Sequence, residues 1–454
     1  MAEEEVDVVV IGLGPGGEEV AERLAEAKLS VVGVEEHLVG GECPYYGCIP
    51  SKMMVRAADL LAEARRVDGM AGTASVAPDF GPVARRIRKE ATDDWNDRVA
   101  VERFEKLGGR FVRGRGVLDG PGRVRVGDRL FRARRGVVLA TGTAPAVPPV
   151  PGLADVPYWT NRDAVKAETA PASLVVLGGG AVGVEIGQAF SRFGSRVTVV
   201  EAEGHLLPLE EPEAGAVVAS ALRDGGSDVR TGRKGVRVEA AGNAIVVHTD
   251  DGARVQGERL LVATGRRMNL PGIGLGSVGL DEAAHSVAVD ERLRAADKLW
   301  AIGDITGKGL FTHVAVYQAR LVIAQLLGRD APPADYRALA RVTFSDPEVG
   351  GVGMTEAQAR AAGLRVRVGA VELAKVSRGW LHGPGTAGLI KVVEDADRGV
   401  LVGATSVGPW GGEVLSMLTL AVHAEVPVAK LRTMHYAFPT FHRGVLEAVR
   451  ALGS

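Results

Sequence analysis

Residues 6–17 read Val-Asp-Val-Val-Val-Ile-Gly-Leu-Gly-Pro-Gly-Gly, so a short run of β-branched residues leads directly into a glycine-rich turn. A helical pattern follows, and a second strand pattern at residues 30–34 ends at Glu35. The order of strand, glycine turn, helix, strand and acidic residue predicts a βαβ unit of the kind that binds dinucleotides. The turn glycines of this unit are Gly12, Gly14 and Gly17.

The same pattern recurs in the middle of the chain. A strand pattern at residues 174–177 leads into a second glycine turn, and the strand at residues 196–200 ends at Glu201. The first glycine and the acidic residue are 23 residues apart in both copies (35 − 12 = 23 and 201 − 178 = 23). Both units close with Ala-Thr-Gly, which strengthens the prediction of two dinucleotide sites. The second turn and the two closures contribute Gly178, Gly180, Gly183, Thr141, Gly142 and Gly265.

The chemistry of these turns favours a pyrophosphate ligand. The first glycine makes the tight turn, the second lets the backbone approach the phosphates, and the third lets helix and strand pack closely. The free N–H groups and the positive dipole end of the following helix attract the anion. Glu35 and Glu201 can each accept hydrogen bonds from a ribose diol. Because Glu201 would repel a 2′-phosphate and no arginine directly follows it, the sequence favours NADH over NADPH.

Composition excludes several classes of function. The 454 residues predict about three domains at roughly 150 residues each. With 54 Lys and Arg against 56 Asp and Glu, the chain has no surplus of positive charge for nucleic acid. It contains no long apolar run typical of a membrane span, and its acidic N-terminus lacks the basic start of a secretory signal. We therefore expect a cytoplasmic protein.

The only two cysteines of the chain, Cys43 and Cys48, lie close together, which indicates redox chemistry. With His37 they supply at most three ligands, fewer than the four of a structural zinc site, so no metal is expected. In a regular helix, Cα atoms five positions apart are roughly 8–9 Å from each other. A disulfide requires less than about 7 Å. A disulfide here therefore requires a distorted segment, for which Pro44 and Gly47 are suited.

Residues 40–52 read Gly-Gly-Glu-Cys-Pro-Tyr-Tyr-Gly-Cys-Ile-Pro-Ser-Lys. This stretch resembles the redox-active disulfide segment of the class I pyridine nucleotide-disulfide oxidoreductases, which include dihydrolipoamide dehydrogenase, glutathione reductase and mercuric reductase. The resemblance covers essentially the whole chain, because it includes both glycine turns, both closures, Gly303-Asp304 and the Phe-Ser-Asp-Pro-Glu run at residues 344–348.

The resemblance implies a route for electrons. FAD would bind at the first turn and NADH at the second, and hydride would pass to the flavin and on to a Cys43–Cys48 disulfide. Cys48 would face the flavin, and Cys43 would attack the substrate. Lys52 and Glu185 would form an ion pair near the flavin. The cofactor contacts implied beyond the turns and closures are Glu35, Lys52, Gly116, Gly303, Asp304, Thr312 and Glu201.

The expected fold is α/β, with two Rossmann-like dinucleotide-binding domains and a C-terminal α+β dimerisation domain. The FAD-binding domain would comprise residues 1–150 and 271–335, the NAD-binding domain 151–270 and the dimerisation domain 336–454. A mostly helical stretch is expected at about residues 50–108, and a hairpin at residues 389–407. The family implies a homodimer whose active site is shared between subunits.

One departure concerns the acid–base pair of the family's disulfide reductases, a histidine followed by a glutamate near the C-terminus. Phe438 stands in place of the histidine and Arg443 in place of the glutamate. Neither replacement can act as a general base, so we expect poor turnover of lipoamide and glutathione disulfide. His442, His435, Tyr45 and Tyr46 are the remaining candidates for moving a proton.

The sequence thus predicts an NADH:disulfide oxidoreductase that passes electrons through FAD and the cysteine pair to a non-standard small thiol or disulfide acceptor. One alternative is a quinone, reduced directly from the flavin. A second is a non-catalytic flavin-containing partner subunit, which the intact Cys43, Cys48, Lys52 and Glu185 argue against. Mercury delivery is not expected, because the chain has no third cysteine near its C-terminus.

Overall fold

The computed structural model describes residues 3–453. No helix among them is long and apolar enough to cross a membrane. The strands, in chain order, are β1 (Glu3–Ile11), β2 (Val31–Glu35), β3 (Arg110–Arg113), β4 (Gly116–Leu118), β5 (Arg123–Val126), β6 (Arg129–Leu139), β7 (Thr143–Pro145), β8 (Ser173–Leu177), β9 (Arg196–Val200), β10 (Asp228–Arg230), β11 (Gly235–Ala241), β12 (Ala244–Thr249), β13 (Arg254–Gly257), β14 (Arg259–Val262), β15 (Arg266–Met268), β16 (Arg294–Ala296), β17 (Leu299–Ala301), β18 (Ala340–Thr343), β19 (Glu348–Gly353), β20 (Val366–Glu372), β21 (Leu389–Asp395) and β22 (Val400–Gly408).

The helices, in chain order, are α1 (Pro15–Glu26), α2 (Glu42–Tyr45), α3 (Cys48–Arg65), α4 (Gly81–Arg86), α5 (Arg98–Lys106), α6 (Asn161–Ala164), α7 (Ala181–Arg192), α8 (Pro212–Asp224), α9 (Thr312–Leu326), α10 (Glu356–Ala361), α11 (Ser377–His382), α12 (Gly411–His423), α13 (Val428–Thr433) and α14 (His442–Arg450). A π-helical turn at Ile87–Ala91 follows α4.

The chain divides into two compact units, and the first contains residues 3–50, 85–146 and 266–335. Its main sheet has the strand order β16-β17-β6-β1-β2-β3. β1 pairs in parallel with both β2 and β6, and its apolar run is buried almost completely because both faces of the sheet are covered. Helices α1, α5 and α9 cover one face, and β4, β5 and the segment 270–287 cover the other. α1 and α9 pack against one another on one of these faces.

The second unit contains residues 51–84, 147–265 and 336–453. Its parallel sheet has the order β10-β9-β8-β14, and α7 packs on it after the second glycine turn. The same unit contains a five-stranded antiparallel sheet, β18-β19-β22-β21-β20, covered by α12 and α14. The predicted hairpin is confirmed there, since β21 and β22 pair antiparallel. The domain limits set out above stay a prediction.

The two glycine turns have the same geometry. Gly12 and Gly178 adopt φ of +90° and +105°, a region that favours glycine. A Cβ at Gly17 would collide with the carbonyl oxygen of Gly12, and a Cβ at Gly183 would collide with that of Gly178. The internal repeat read from the sequence is therefore a repeat in three dimensions.

The mostly helical stretch expected at residues 50–108 is confirmed by α3, α4 and α5, although residues 66–80 are not helical. Gly69 and Gly72 adopt φ of +77° and +125° there, and Pro78 lacks the N–H that a helix interior needs. Within this stretch, an isolated β-bridge pairs Asp68 with Gly72.

The second turn yields a prediction that separates packing from ligand binding. Gly183→Ala should lower the free energy of unfolding by about 1–3 kcal/mol, because the new methyl group has to displace the Gly178 carbonyl. Gly180→Ala is the matched variant, since Gly180 has φ of −73° and nothing lies within 4 Å of its Cβ position. It should leave stability almost unchanged but weaken NADH binding. Urea unfolding measures the change in stability, and NADH titration measures the change in binding. Equal losses of stability in the two variants would contradict the separate roles of Gly183 in packing and Gly180 in binding.

Candidate active site

The segment that carries the cysteines is interrupted, as the spacing of Cys43 and Cys48 predicts. α2 ends at Tyr45, and α3 begins at Cys48 after a break at Tyr46 and Gly47. The backbone N–H groups of Tyr46 and Gly47 both donate to the Glu42 carbonyl, at 2.8 and 2.7 Å. Both cysteines are partly exposed, so a small molecule can reach this segment.

Cys48 occupies the first position of α3, an 18-residue helix. Backbone N–H groups and the positive end of the helix dipole stabilise a negative charge at this position. The Cys48 Sγ lies 3.5 Å from the hydroxyl oxygen of Thr312, which is itself the first residue of α9. The structure thus places Cys48 and Thr312 together, at the starts of two helices.

Lys52 and Glu185 also meet. The Lys52 Nζ lies 2.8 Å from Glu185 Oε2, and the backbone N–H of Phe344 donates to Glu185 Oε1 at 2.9 Å. The Lys52 ammonium also lies 4.7 Å from the centre of the Phe344 ring. Glu185 is buried, but both of its oxygens have partners, so its charge is compensated.

The two acidic residues at the ends of the second strands have matching hydrogen bonds. Glu35 accepts from the backbone N–H groups of Leu13 and His37, both at 2.8 Å. Glu201 accepts from those of Gly179 and Glu203. A carboxylate offers about four acceptor positions, so each can still accept from a ribose hydroxyl.

The first closure and the Gly303-Asp304 turn are joined by a chain of polar contacts. The Thr143 hydroxyl donates to Asp304 Oδ2 at 2.6 Å and accepts from Arg266 Nε at 2.6 Å. Arg266 also forms an ion pair with Glu42 at 3.3 Å. Burial raises the pKa of Asp304 above its usual value, although Thr143 and Arg266 oppose the shift. Sequence reasoning missed Thr143 and Arg266, yet each directly follows the glycine of an Ala-Thr-Gly closure.

Close contacts involving the backbone fix the remaining predicted residues of the first unit, which are Thr141, Gly142, Gly303 and Gly116. Asn269 holds the closure by donating from its backbone N–H to the Gly142 carbonyl at 3.0 Å and from its amide to the Thr141 carbonyl at 2.9 Å. Gly303 donates to Gln318 Oε1 at 2.6 Å. Gly116 begins β4, where a Cβ would lie 2.9 Å from Ile11 Cγ2. Asn269 was another residue that sequence reasoning missed.

The surroundings of Glu201 contain two arginines that the sequence places about 30 residues away. Through β10, the Arg230 carbonyl accepts from the Glu201 N–H, and the Arg233 N–H donates to the Glu201 carbonyl, both at 2.9 Å. Their side chains are paired with other acids, Arg230 with Asp228 at 2.8 Å and Arg233 with Asp251 at 2.9 Å.

At the C-terminal end, Phe438 and Arg443 lie side by side. The Arg443 guanidinium carbon is 5.6 Å from the centre of the Phe438 ring, and the Phe438 side chain is 66% exposed. The two replaced positions therefore form a cation–π pair instead of an acid–base pair. His435 is exposed, and His442 begins α14.

One acidic cluster in the second unit has the spacing of a cation site: Glu211, Glu213 and Glu356. The Lys391 ammonium lies 2.8–3.0 Å from an oxygen of each of them. Burial alone would lower the pKa of Lys391, but the three carboxylates raise it above its usual value. The cation of this cluster is therefore the ammonium of Lys391, and the cluster is an ion network.

Comparisons with known proteins match almost the whole chain. The sequence profile described as "Pyridine nucleotide-disulphide oxidoreductase" matches residues 6–319, and the profile of its dimerisation domain matches residues 339–449. The chain is 33% identical to a dihydrolipoyl dehydrogenase of Thermus scotoductus, over 98% of this chain and 97% of the relative. It is 33% identical to a mercuric reductase of Streptomyces lividans, over 94% and 92% of the two chains.

Among solved structures, the fold is similar to a Cu(II) complex of the HOCl-induced flavoprotein disulfide reductase RclA from Escherichia coli. The TM-score is 0.85 at 25% identity, and the match covers 98% of this chain and 99% of the other.

The raised pKa of Asp304 predicts a pH-dependent cost. A carboxyl group with a higher pKa in the folded state binds its proton more tightly there, so stability falls as pH rises from the ordinary value of about 4 through the folded pKa. Asp304→Asn removes this ionisation. In urea unfolding of the apoprotein, its stability relative to wild type should therefore increase with pH. Asp330→Asn, at a side chain that is 97% exposed, is the control. A difference that does not vary with pH would contradict this prediction.

Proposed function

Because the chain belongs to the pyridine nucleotide-disulphide oxidoreductase family, we propose that it oxidises NADH and passes the electrons through FAD and Cys43–Cys48 to a small acceptor. The acceptor we propose is an activated disulfide, not lipoamide or glutathione disulfide. The observation that carries the proposal is the Phe438–Arg443 pair, which replaces both members of the family's acid–base pair.

The residues of the first unit fit FAD. Nothing lies within 4 Å of the Cβ position of Gly14, so the N-terminus of α1 is open to a pyrophosphate. Glu35 would accept from the ribose, and the half-buried carboxylate of Asp304 would accept from the ribityl chain. When bound, FAD supplies a carrier that takes a hydride from NADH and delivers two electrons to the dithiol couple.

The cysteines have distinct proposed roles. Cys48, at the first position of α3, is placed to hold a negative charge and would face the flavin. Cys43, in the short helix α2, would attack the acceptor disulfide and displace one thiolate. Cys48 then attacks the mixed disulfide at the Cys43 sulfur, which releases the second thiolate and restores the Cys43–Cys48 disulfide.

The chemical class of the acceptor follows from the replacement of the family's acid–base pair. A departing thiolate with a high pKa needs a proton, and losing a general acid–base group costs roughly 10²–10⁴ in rate. A thiolate with a low pKa leaves without that help. The exposed ring of Phe438 adds an apolar surface, so an aromatic disulfide is the class that best fits.

We propose that the active site is completed by a second copy of the chain. The matched dimerisation domain suggests a homodimer. Phe438 and Trp380, whose side chains are 66% and 76% exposed, lie in that domain and offer apolar surface for an interface. The Phe438 end of one protomer would then reach Cys43 of its partner.

Reduction of Cu(II) is a second candidate, favoured by the similarity to the Cu(II) complex of RclA. Two Cu(II) ions would each take one electron, and the Cys43 and Cys48 thiols would lose two electrons and two protons as they form a disulfide. Thiolates are good ligands for Cu(I). This reaction has no thiolate leaving group, so the absence of the acid–base pair does not slow it.

A panel of acceptors tests the proposal. NADH-reduced enzyme should reduce an aromatic disulfide rapidly, and lipoamide and glutathione disulfide poorly. Cys43→Ser should abolish reduction of disulfides and Cu(II) but spare quinones, which take electrons directly from the flavin. The double variant Phe438→His/Arg443→Glu should raise lipoamide turnover by about tenfold or more. Stopped-flow and steady-state rates measure these effects.

The outcomes are distinct. Wild-type turnover of lipoamide at about 10² per second, typical of an efficient enzyme, would contradict the proposal. Turnover of Cu(II) alone would favour the second candidate. Turnover of quinones alone, unchanged in Cys43→Ser, would move the reaction to the flavin.

NADH preference is a separate prediction. The Glu201 carboxylate should repel the 2′-phosphate of NADPH, so kcat/KM for NADH should be about tenfold to a hundredfold higher, or 1–3 kcal/mol. Asp251→Asn frees Arg233 from its ion pair and should reduce this preference. Asp250→Asn, at the adjacent residue, is the control. Equal rates with both nucleotides in the wild-type enzyme would contradict the role of Glu201.

A further inference from the structure

Residues 39–48, which carry both cysteines, are called the cysteine loop here. A segment with an unusual backbone contacts this loop within the first unit. Asp93, Asp94 and Trp95 adopt φ of +46°, +56° and +58°, three consecutive left-handed residues without a glycine. Each such residue costs roughly 1–2 kcal/mol in free energy. Such a conformation persists only where the surrounding structure enforces it, and it is often found at functional sites.

Thr92 enforces the turn. It is buried, and its hydroxyl donates to the Ile87 carbonyl at 3.0 Å and accepts from the Trp95 N–H at 3.3 Å. The Asp94 N–H donates to the Arg88 carbonyl at 2.7 Å, and the Asn96 N–H to the Thr92 carbonyl at 3.0 Å. The segment is therefore a defined structure whose hydrogen bonds offset the cost of its backbone.

The three residues at the end of this turn all bond to the cysteine loop. The Trp95 indole N–H donates to the Tyr45 carbonyl at 3.1 Å. The Asn96 carbonyl accepts from the Tyr45 hydroxyl at 3.4 Å, and Asp97 Oδ2 accepts from the Val39 N–H at 2.8 Å. Burial raises the pKa of Tyr45 to about 12, so its hydroxyl stays a donor at neutral pH. These contacts hold the loop on both sides of Cys43.

Of the three hydrogen bonds, the one from Trp95 bears most directly on the position of Cys43. The Tyr45 carbonyl belongs to the last residue of α2, where helices leave carbonyl groups without an intrahelical partner. Cys43 lies in the same four-residue helix, two positions earlier. The Trp95 indole, which lies outside the loop, therefore fixes α2, the short helix that carries Cys43. Cys48 is fixed by the long helix α3.

We infer that Trp95 is a positioning residue that holds Cys43 in the place from which it pairs with Cys48. The inference rests on the proposed redox role of the two cysteines. Holding two reacting groups in place raises their effective concentration. A fixed loop thus favours the disulfide over the dithiol, and a loosened loop favours the dithiol.

The test measures the redox equilibrium of the cysteine pair in the FAD-loaded enzyme. Holoenzyme is equilibrated with dithiothreitol redox buffers, and thiols are trapped and counted; the chain has two cysteines, so the count reports this pair alone. Trp95→Phe keeps an aromatic side chain but removes the indole N–H. It should shift the equilibrium toward the dithiol by about tenfold, which raises the potential by about 30 mV.

Trp300→Phe is the matched control. Trp300 lies in the same unit, is buried, and its indole N–H donates to Gln325 Oε1 at 3.3 Å, away from the cysteine loop. It should leave the potential unchanged. Tyr45→Phe, which removes the longer bond to Asn96, should shift the potential in the same direction by less, and it serves as the test if Trp95→Phe does not fold.

The outcomes separate this inference from the proposed function. If the wild-type pair does not exchange electrons with the flavin, the proposed function is wrong. If it does, but Trp95→Phe has the potential of wild type and of Trp300→Phe, the positioning role is overturned, even if thermal stability falls. If Trp95→Phe cannot be folded, an unshifted Tyr45→Phe potential overturns it.

Discussion

The fold depends on one close approach that is made twice. The first and third glycines of each turn lie so near each other that a Cβ at Gly17 or Gly183 would collide with the facing carbonyl. This contact lets α1 and α7 begin shortly after the ends of β1 and β8. Both predicted dinucleotide sites follow from this constraint, as does the position of Glu35 and Glu201 beside them.

The cysteine loop follows the first of these turns and β2 along the chain. β2 ends at Glu35, whose carboxylate bonds to the turn, and the chain then continues into α2 and α3. Arg266 reaches this loop at Glu42, and Trp95 reaches it at Tyr45. Two bonds from distant parts of the first unit thus flank Cys43. A thiol held this way can be exposed to substrate and still keep a defined position.

The sequence predicted the features that residue type encodes directly. The repeated glycine turns, the acidic residues after them and the break between Cys43 and Cys48 follow from steric and distance limits on those residues. It did not reveal the turn at Asp93, Asp94 and Trp95, because no glycine marks the left-handed φ there and the hydrogen bonds around Thr92 that hold the turn are visible only in the structure. Nor could it place Arg266 beside Thr143 and Glu42, since those contacts join segments that are far apart in sequence.

The replaced acid–base pair belongs to one half of the proposed reaction. The Lys52–Glu185 pair, Asp304 and both cysteines are present, and in the proposed reaction they take part in reducing the Cys43–Cys48 disulfide. Phe438 and Arg443 stand where the family would have the groups that help electrons leave the dithiol, and they contact each other. A single loss would leave an unpartnered glutamate or histidine. The paired replacement instead leaves two side chains that contact each other, which agrees with the proposed acceptor, because that acceptor needs no proton from the enzyme.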